Sequence, residues 1–185
     1  MDSKKIEKAI ELLLDGIGET KRKGLEKTPK RVAVLYEEIF SGVGKNAEHV
    51  LDSVEELKHD EMVLIKDIPV YSVCEHHLLP FFGKIHIAYI PKGNRIIGLG
   101  KILELVEILS KRPQLQERLT TEIADLIVKK LKPLGVGVVV EARHFCIEMR
   151  GKKQTETSTI TSAVRGSFRK DSATRAEFFS LIREH

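Results

Sequence analysis

The sequence is poor in cysteine and aromatic residues: 185 positions include two cysteines, no tryptophan and only 5% Phe, Trp and Tyr together. Each scarcity removes a class of function. Two cysteines, Cys74 and Cys146, do not make the disulfide framework of a small secreted domain, so no structural disulfide is expected. Without interleaved aromatics there is little on which bases can stack, so no nucleic-acid partner is expected. No run approaches the roughly 20 apolar residues that a membrane helix requires. The opening stretch MDSKKIEKAIELLLDG reads as a charged amphipathic helix rather than a signal peptide. Together these features predict a cytoplasmic protein with no membrane association. With 42% hydrophobic and 31% charged residues and no low-complexity tract, the chain has the composition of a folded domain.

The net charge of +4 is modest but unevenly spread. Between positions 143 and 170 lie Arg143, Arg150, Lys152, Lys153, Arg165, Arg169 and Lys170, against only Glu148 and Glu156. Such a segment suits an anionic ligand, and equally a strand edge guarded by cations.

Ile6, Ile10, Leu13 and Ile17 recur at helical spacing, with Gly16 and Gly18 ending the pattern. A second helix is expected from Thr28 as N-cap, with Pro29 in its first turn and Gly42 beyond its end. From about residue 61 the pattern changes to short β-rich runs, HDEMVLIKDIPVYSV broken at Pro69 and then KIHIAYIP closed by a PKGN turn. Helical periodicity returns from Lys101 and again after Pro113. GVGVVVEARHFCIEM and TETSTITSAV read as strands, and ATRAEFFSLIREH as a closing helix. This order predicts an α+β fold, an antiparallel sheet with helices on one face. It divides into an N-terminal helical region over 1–60 and a sheet-containing domain over 61–185.

Both cysteines stand beside histidines, in Cys74-Glu75-His76-His77 and in His144-Phe145-Cys146. Thiolate and imidazole together suit zinc, and Cys74, His77 and Cys146 supply three ligands, leaving a fourth tetrahedral position for water. Alternation along a strand puts His144 on the same side as Cys146, either as a fourth ligand or as a base beside the metal. Zinc lowers the pKa of a bound water to about 7, and imidazoles move protons near neutral pH, so hydrolysis of a C=N or amide-like bond fits such a centre.

The segments CEHHLLPFFGKIHIAYIP, GLGK, QERLTTEIA, GVGVVVEARHFCIEMRG and TSAVRGSF, with GLEKTPKRVA and DEMVLIKDI upstream, resemble the GTP cyclohydrolase I family from about Gly24 to Ile182. The resemblance implies a tunnelling fold of antiparallel strands with two helices on one side, assembled as a homodecamer of two pentamers with sites between subunits. It implies GTP as substrate, with formate and 7,8-dihydroneopterin triphosphate, a precursor of pterins and folates, as products. Matched one at a time, Cys74, His77 and Cys146 correspond to the Zn2+ ligands, and His76 and His144 to acid-base groups rather than ligands. Glu117 matches the carboxylate that holds guanine, with Gln116 beside it among the substrate-binding residues, while Arg150, Lys101 and Arg31 match phosphate-binding cations. The chain also departs from the family pattern, in which Gly-Leu-Ser-Lys is followed three residues later by arginine. Here Gly100 replaces the serine and Glu104 the arginine, a change that repels a triphosphate unless Lys152, Lys153 or Arg165 compensates. An enzyme of the same fold acting on another purine or pterin is the rival reading.

Overall fold

Helix α1 (Ser3–Gly16) begins where the Asp2 carboxylate accepts a hydrogen bond from the Lys5 backbone N–H, and Gly18, at φ 79°, turns the chain after it. Described in this computed structural model are residues 1–19, 22–52, 55–56, 58–93, 95–150 and 157–183. Helix α2 (Thr28–Ile39) carries Pro29 in its first turn and packs along α1. Its cap lies one residue earlier than expected. The Lys27 carbonyl already accepts from the Arg31 N–H at 3.1 Å, which makes Lys27 the cap and Thr28 the first helical residue. After a 3-10 turn at Ala47–Asp52, the short strand β1 (Glu55–Glu56) pairs with β4 (Arg95–Ile96) in a ribbon of its own.

The main sheet has the order β5-β2-β3-β6-β7. Strands β2 (Val63–Cys74), β3 (Pro80–Ile90), β6 (Gly135–His144) and β7 (Ser158–Gly166) are antiparallel neighbours. The two-residue strand β5 (Pro113–Gln114) runs parallel to the end of β2, so the sheet is mixed at that edge. Pro69, expected to separate two runs, lies inside β2. A proline lacks the ladder N–H and is tolerated where a strand has a neighbour on one side only, as β2 has before Val73 among the described residues. The register slips between Ile65 and Ile68, where Asp67 takes φ 59° and its N–H donates to His86 Nδ1 at 3.2 Å.

Helices α3 (Leu99–Ser110) and α4 (Gln116–Leu131) cover one face. Ile102, Leu105 and Leu109 from α3 and Leu119, Ile123 and Ile127 from α4 meet Ile85, Ile87, Val136, Val138 and Val140 of the sheet, all buried. Each such side chain removed from water contributes about 1.5–3 kcal/mol. This is the two-helix face that the sequence predicts. The opposite face is not bare: Phe168 of α6 (Ser167–Lys170) and Phe178 of α7 (Ser172–Arg183) sit over Ala88 and Val139. Gly137 makes room for them, because a Cβ there would stand 2.8 Å from the Phe178 ring.

Strand β6 stops at His144, and Phe145–Glu148 forms a single helical turn, α5. The expected strand through Met149 is therefore too long, and Cys146 sits on a helical turn. The side-by-side alternation argued for His144 and Cys146 does not apply between them.

Candidate active site and metal centre

The segment after β2 folds back on itself before β3 begins. The Leu78 N–H donates to the Cys74 carbonyl at 2.9 Å and the Cys74 N–H to the Leu79 carbonyl at 2.8 Å, closing a tight turn. Leu78 takes φ 52°, an uncommon conformation for a bulky residue that costs about 1–3 kcal/mol and is sustained by those bonds. The turn presents His76 and His77 with their rings edge to face at 6.1 Å. It is tied to α4 by Arg118, whose Nη2 donates to Glu75 Oε1 at 3.1 Å and whose guanidinium holds the Glu75 carboxyl below the usual carboxylate range. The Glu75 N–H also donates to the Gln114 carbonyl at 3.1 Å.

The helical turn α5 carries Cys146 to the same place. The ligand atoms of Cys74, His77 and Cys146 all lie within 4.8 Å of one another, with Cys74 Sγ 4.0 Å from His77 Nδ1. Zinc bonds of about 2.3 Å to sulfur and 2.0–2.1 Å to nitrogen put tetrahedral ligand atoms about 3.5–3.8 Å apart. A small inward movement of the three side chains reaches that spacing. Burial, with the Cys74 thiol alongside, pushes the Cys146 thiol up, so Cys146 is poorly suited to carry thiolate charge alone. A divalent cation between the sulfurs reverses that balance. Donor types, spacing and electrostatics all fit a metal of the zinc class.

Cys74 and Cys146 open onto a cavity of about 380 Å³ whose wall also includes His76, Gln116, Glu117 and His144. Larger space of about 540 Å³ lies beside α2, against Phe40, Val43 and Pro113, but among the described residues no histidine or cysteine lines it. His144, the last residue of β6, stacks on the buried Phe81 ring with centroids 4.8 Å apart and planes 11° from parallel. Burial pushes its pKa down, so the neutral imidazole is favoured. Its Nε2 lies 2.7 Å from Gln116 Oε1. Gln116 is itself buried, 1% exposed, and donates to the sheet. Glu117, the next residue, is exposed in the first turn of α4.

The remaining predicted residues are distributed differently. Arg150 is near the metal group, its Nε donating to the Cys146 carbonyl at 2.9 Å. Lys101 and Arg31 do not line the cavity. Lys101 Nζ instead pairs with Glu104 at 3.1 Å, both side chains about half exposed. Arg165 pairs with Asp125 at 2.8 Å, and Lys152 and Lys153 fall outside the described residues.

A model of the family described as GTP cyclohydrolase I matches residues 6–183. The chain belongs to the GTP cyclohydrolase I family. It is 57% identical over 183 residues to a protein named GTP cyclohydrolase 1 from Pelotomaculum thermopropionicum, covering 98% of this chain and 97% of that one. A protein of the same name from Caldanaerobacter subterraneus subsp. tengcongensis is 54% identical, and one from Clostridioides difficile 55% identical, with 98% and 97% of the respective chains covered in each case. Family membership makes the chain a hydrolase, and the Cys74, His77 and Cys146 group, which could hold a metal ion, is consistent with it. Among the described residues no helix is long and apolar enough to cross a membrane.

Two features escaped the sequence reading of this GTP cyclohydrolase I family member. One is the Glu75–Arg118 tie between the turn and α4; the other is the polar network behind His144. Glu75 and Arg118 both lie inside the motifs that carry the resemblance, but nothing in their spacing shows that they meet.

Proposed function

We propose that the chain hydrolyses GTP at C8 of the guanine ring, releasing formate and giving 7,8-dihydroneopterin triphosphate. The observation that carries this reading is the grouping of Cys74, His77 and Cys146 beside a cavity that the two cysteines share with His76, His144 and Glu117, in a chain of this family. Cys74, His77 and Cys146 hold Zn2+, which when bound acts as a Lewis acid and supplies hydroxide at neutral pH. The chain's own groups do the rest. The Glu117 carboxylate accepts from guanine N1–H and from the exocyclic amino group, a paired contact that orients the ring. His144 and His76 give and take protons as the imidazole ring opens, as the formyl group is cleaved, and again while the ribose rearranges and the pterin ring closes. Arg150, Lys101 and Arg31 neutralise the triphosphate.

Lys101 and Arg31 lie away from the cavity, which supports completion of each site by a neighbouring copy in a homodecamer of two pentamers. Exposed Tyr71 on β2 and Ile160 on the edge strand β7 offer apolar surface for such contacts. The test is metal analysis of the purified protein together with incubation on GTP. Near-stoichiometric zinc, formate and a pterin that fluoresces after oxidation are expected; a zinc-loaded protein that forms neither product refutes the assignment.

A further inference from the structure

We infer that Gln116 is a positioning residue that holds His144 in the tautomer protonated at Nε2, leaving Nδ1 with the free lone pair. This rests on the reading of His144 as a proton carrier.

The argument is an accounting of hydrogens. Gln116 is a glutamine with 1% exposure, so its amide must find partners inside the protein. Its Nε2 lies 3.0 Å from the Val140 carbonyl, 2.9 Å from the Thr159 carbonyl and 3.1 Å from Thr161 Oγ1. Carbonyl oxygens only accept, so the amide nitrogen belongs on that side; the flipped amide would set oxygen against two oxygens. The threonines agree. Thr120 Oγ1 donates its one hydrogen to the Gln116 carbonyl at 2.7 Å, so in the 2.6 Å contact between Thr120 and Thr161 the donor is Thr161. Thr161 Oγ1 is then left to accept from Gln116.

With the nitrogen so placed, Gln116 Oε1 is the atom 2.7 Å from His144 Nε2. An amide oxygen has no hydrogen to give, so Nε2 must carry one. In the neutral imidazole the other nitrogen, Nδ1, is bare. The Phe81 ring stacked 4.8 Å away restrains the imidazole plane, and the buried amide keeps water from competing for Nε2–H. Two strands and a helix thus determine the state of one catalytic side chain. Gln116 was expected among the substrate-binding residues, but both its amide hydrogens are spent on the sheet, and its role runs through His144.

The direct test is a neutron crystal structure of the zinc-loaded wild-type enzyme. Deuterium on His144 Nε2, facing Gln116, is expected; a bare Nε2 with deuterium on Nδ1 overturns the inference. Kinetics give the functional test. Gln116→Met should lower kcat about 10- to 100-fold with KM and zinc content little changed, less than the about 10²–10⁴-fold that the acid-base group itself contributes. In a His144→Ala background the same substitution should cost less than about threefold, because neighbours acting as a unit are not additive. An undiminished loss in that background, or a rise in KM at constant kcat, overturns the positioning role. Failure of the parent reading looks different: His144→Ala alone would then keep full turnover.

Discussion

The metal end and the phosphate end of the proposed site are built in opposite ways. At the metal end a closed turn and a single helical turn, each anchored on a buried strand, bring two sulfurs and an imidazole within 4.8 Å. At the phosphate end the matched cations Lys101 and Arg31 sit away from the cavity, and Lys101 is already occupied by Glu104. One chain's fold completes the first. Among the described residues the second has no such scaffold behind it within a single copy. Substitutions at the metal end should therefore have large, specific effects, and those at the phosphate end small, salt-dependent ones.

The largest effect is expected at Cys146. In the proposed zinc site Cys146→Ala would leave two ligands, too few to retain the metal, and turnover should fall by more than the about 10–100-fold typical of losing an outer partner of a metal ligand. Metal analysis and a GTP assay on the same preparation check this. A metal-free variant that keeps wild-type activity breaks the comparison at its strong end.

Glu117 lines the cavity without belonging to the metal group, and its effect should be intermediate. Glu117→Gln removes a charged acceptor and turns an amide donor towards guanine's own donors. Hydrogen bonds to charged groups are worth about 1.5–3 kcal/mol, so affinity for both GTP and guanosine should drop about 10- to 100-fold. Titration calorimetry with the two ligands measures it. Unchanged binding would remove Glu117 from the guanine contact.

How much of this was legible in the sequence follows the same division. That Cys74, His77 and Cys146 come together was readable because both thiols stand beside imidazoles in the sequence, and the two-helix face followed from the periodicity after Lys101 and Pro113. What was not legible depends on tertiary contact. Cys146 was read on a strand because HFCIEM is rich in β-forming residues, yet pairing with β3 ends at His144, opposite Phe81, and the chain coils into α5. Phe168 and Phe178 do not announce in their spacing that they cover the sheet's second face, nor does Gln116 announce a partner 28 residues away. Such pairs form only once β6, β7 and α4 have met.

The smallest effect, and the sharpest test of the phosphate end, is expected at Glu104. Its carboxylate pairs with Lys101 Nζ at 3.1 Å, with both side chains about half exposed. An exposed pair of this kind is worth about 0–1 kcal/mol, so freeing Lys101 and adding a cation in Glu104→Arg should tighten GTP binding by no more than several-fold. The gain has a signature that separates it from a change in packing. It should be clear at about 0.01 M salt, where the Debye length is about 30 Å, and shrink at about 0.1 M, where it is about 10 Å. Guanosine, which carries no phosphates, should show no gain at either salt concentration. An equal response to the two ligands would mean that Glu104 faces away from the triphosphate, and that the anion crosses the protein by way of Arg150 beside the metal group instead. In that event the phosphate end is not missing from the single chain but built next to the metal end, and the contrast between the two regions disappears.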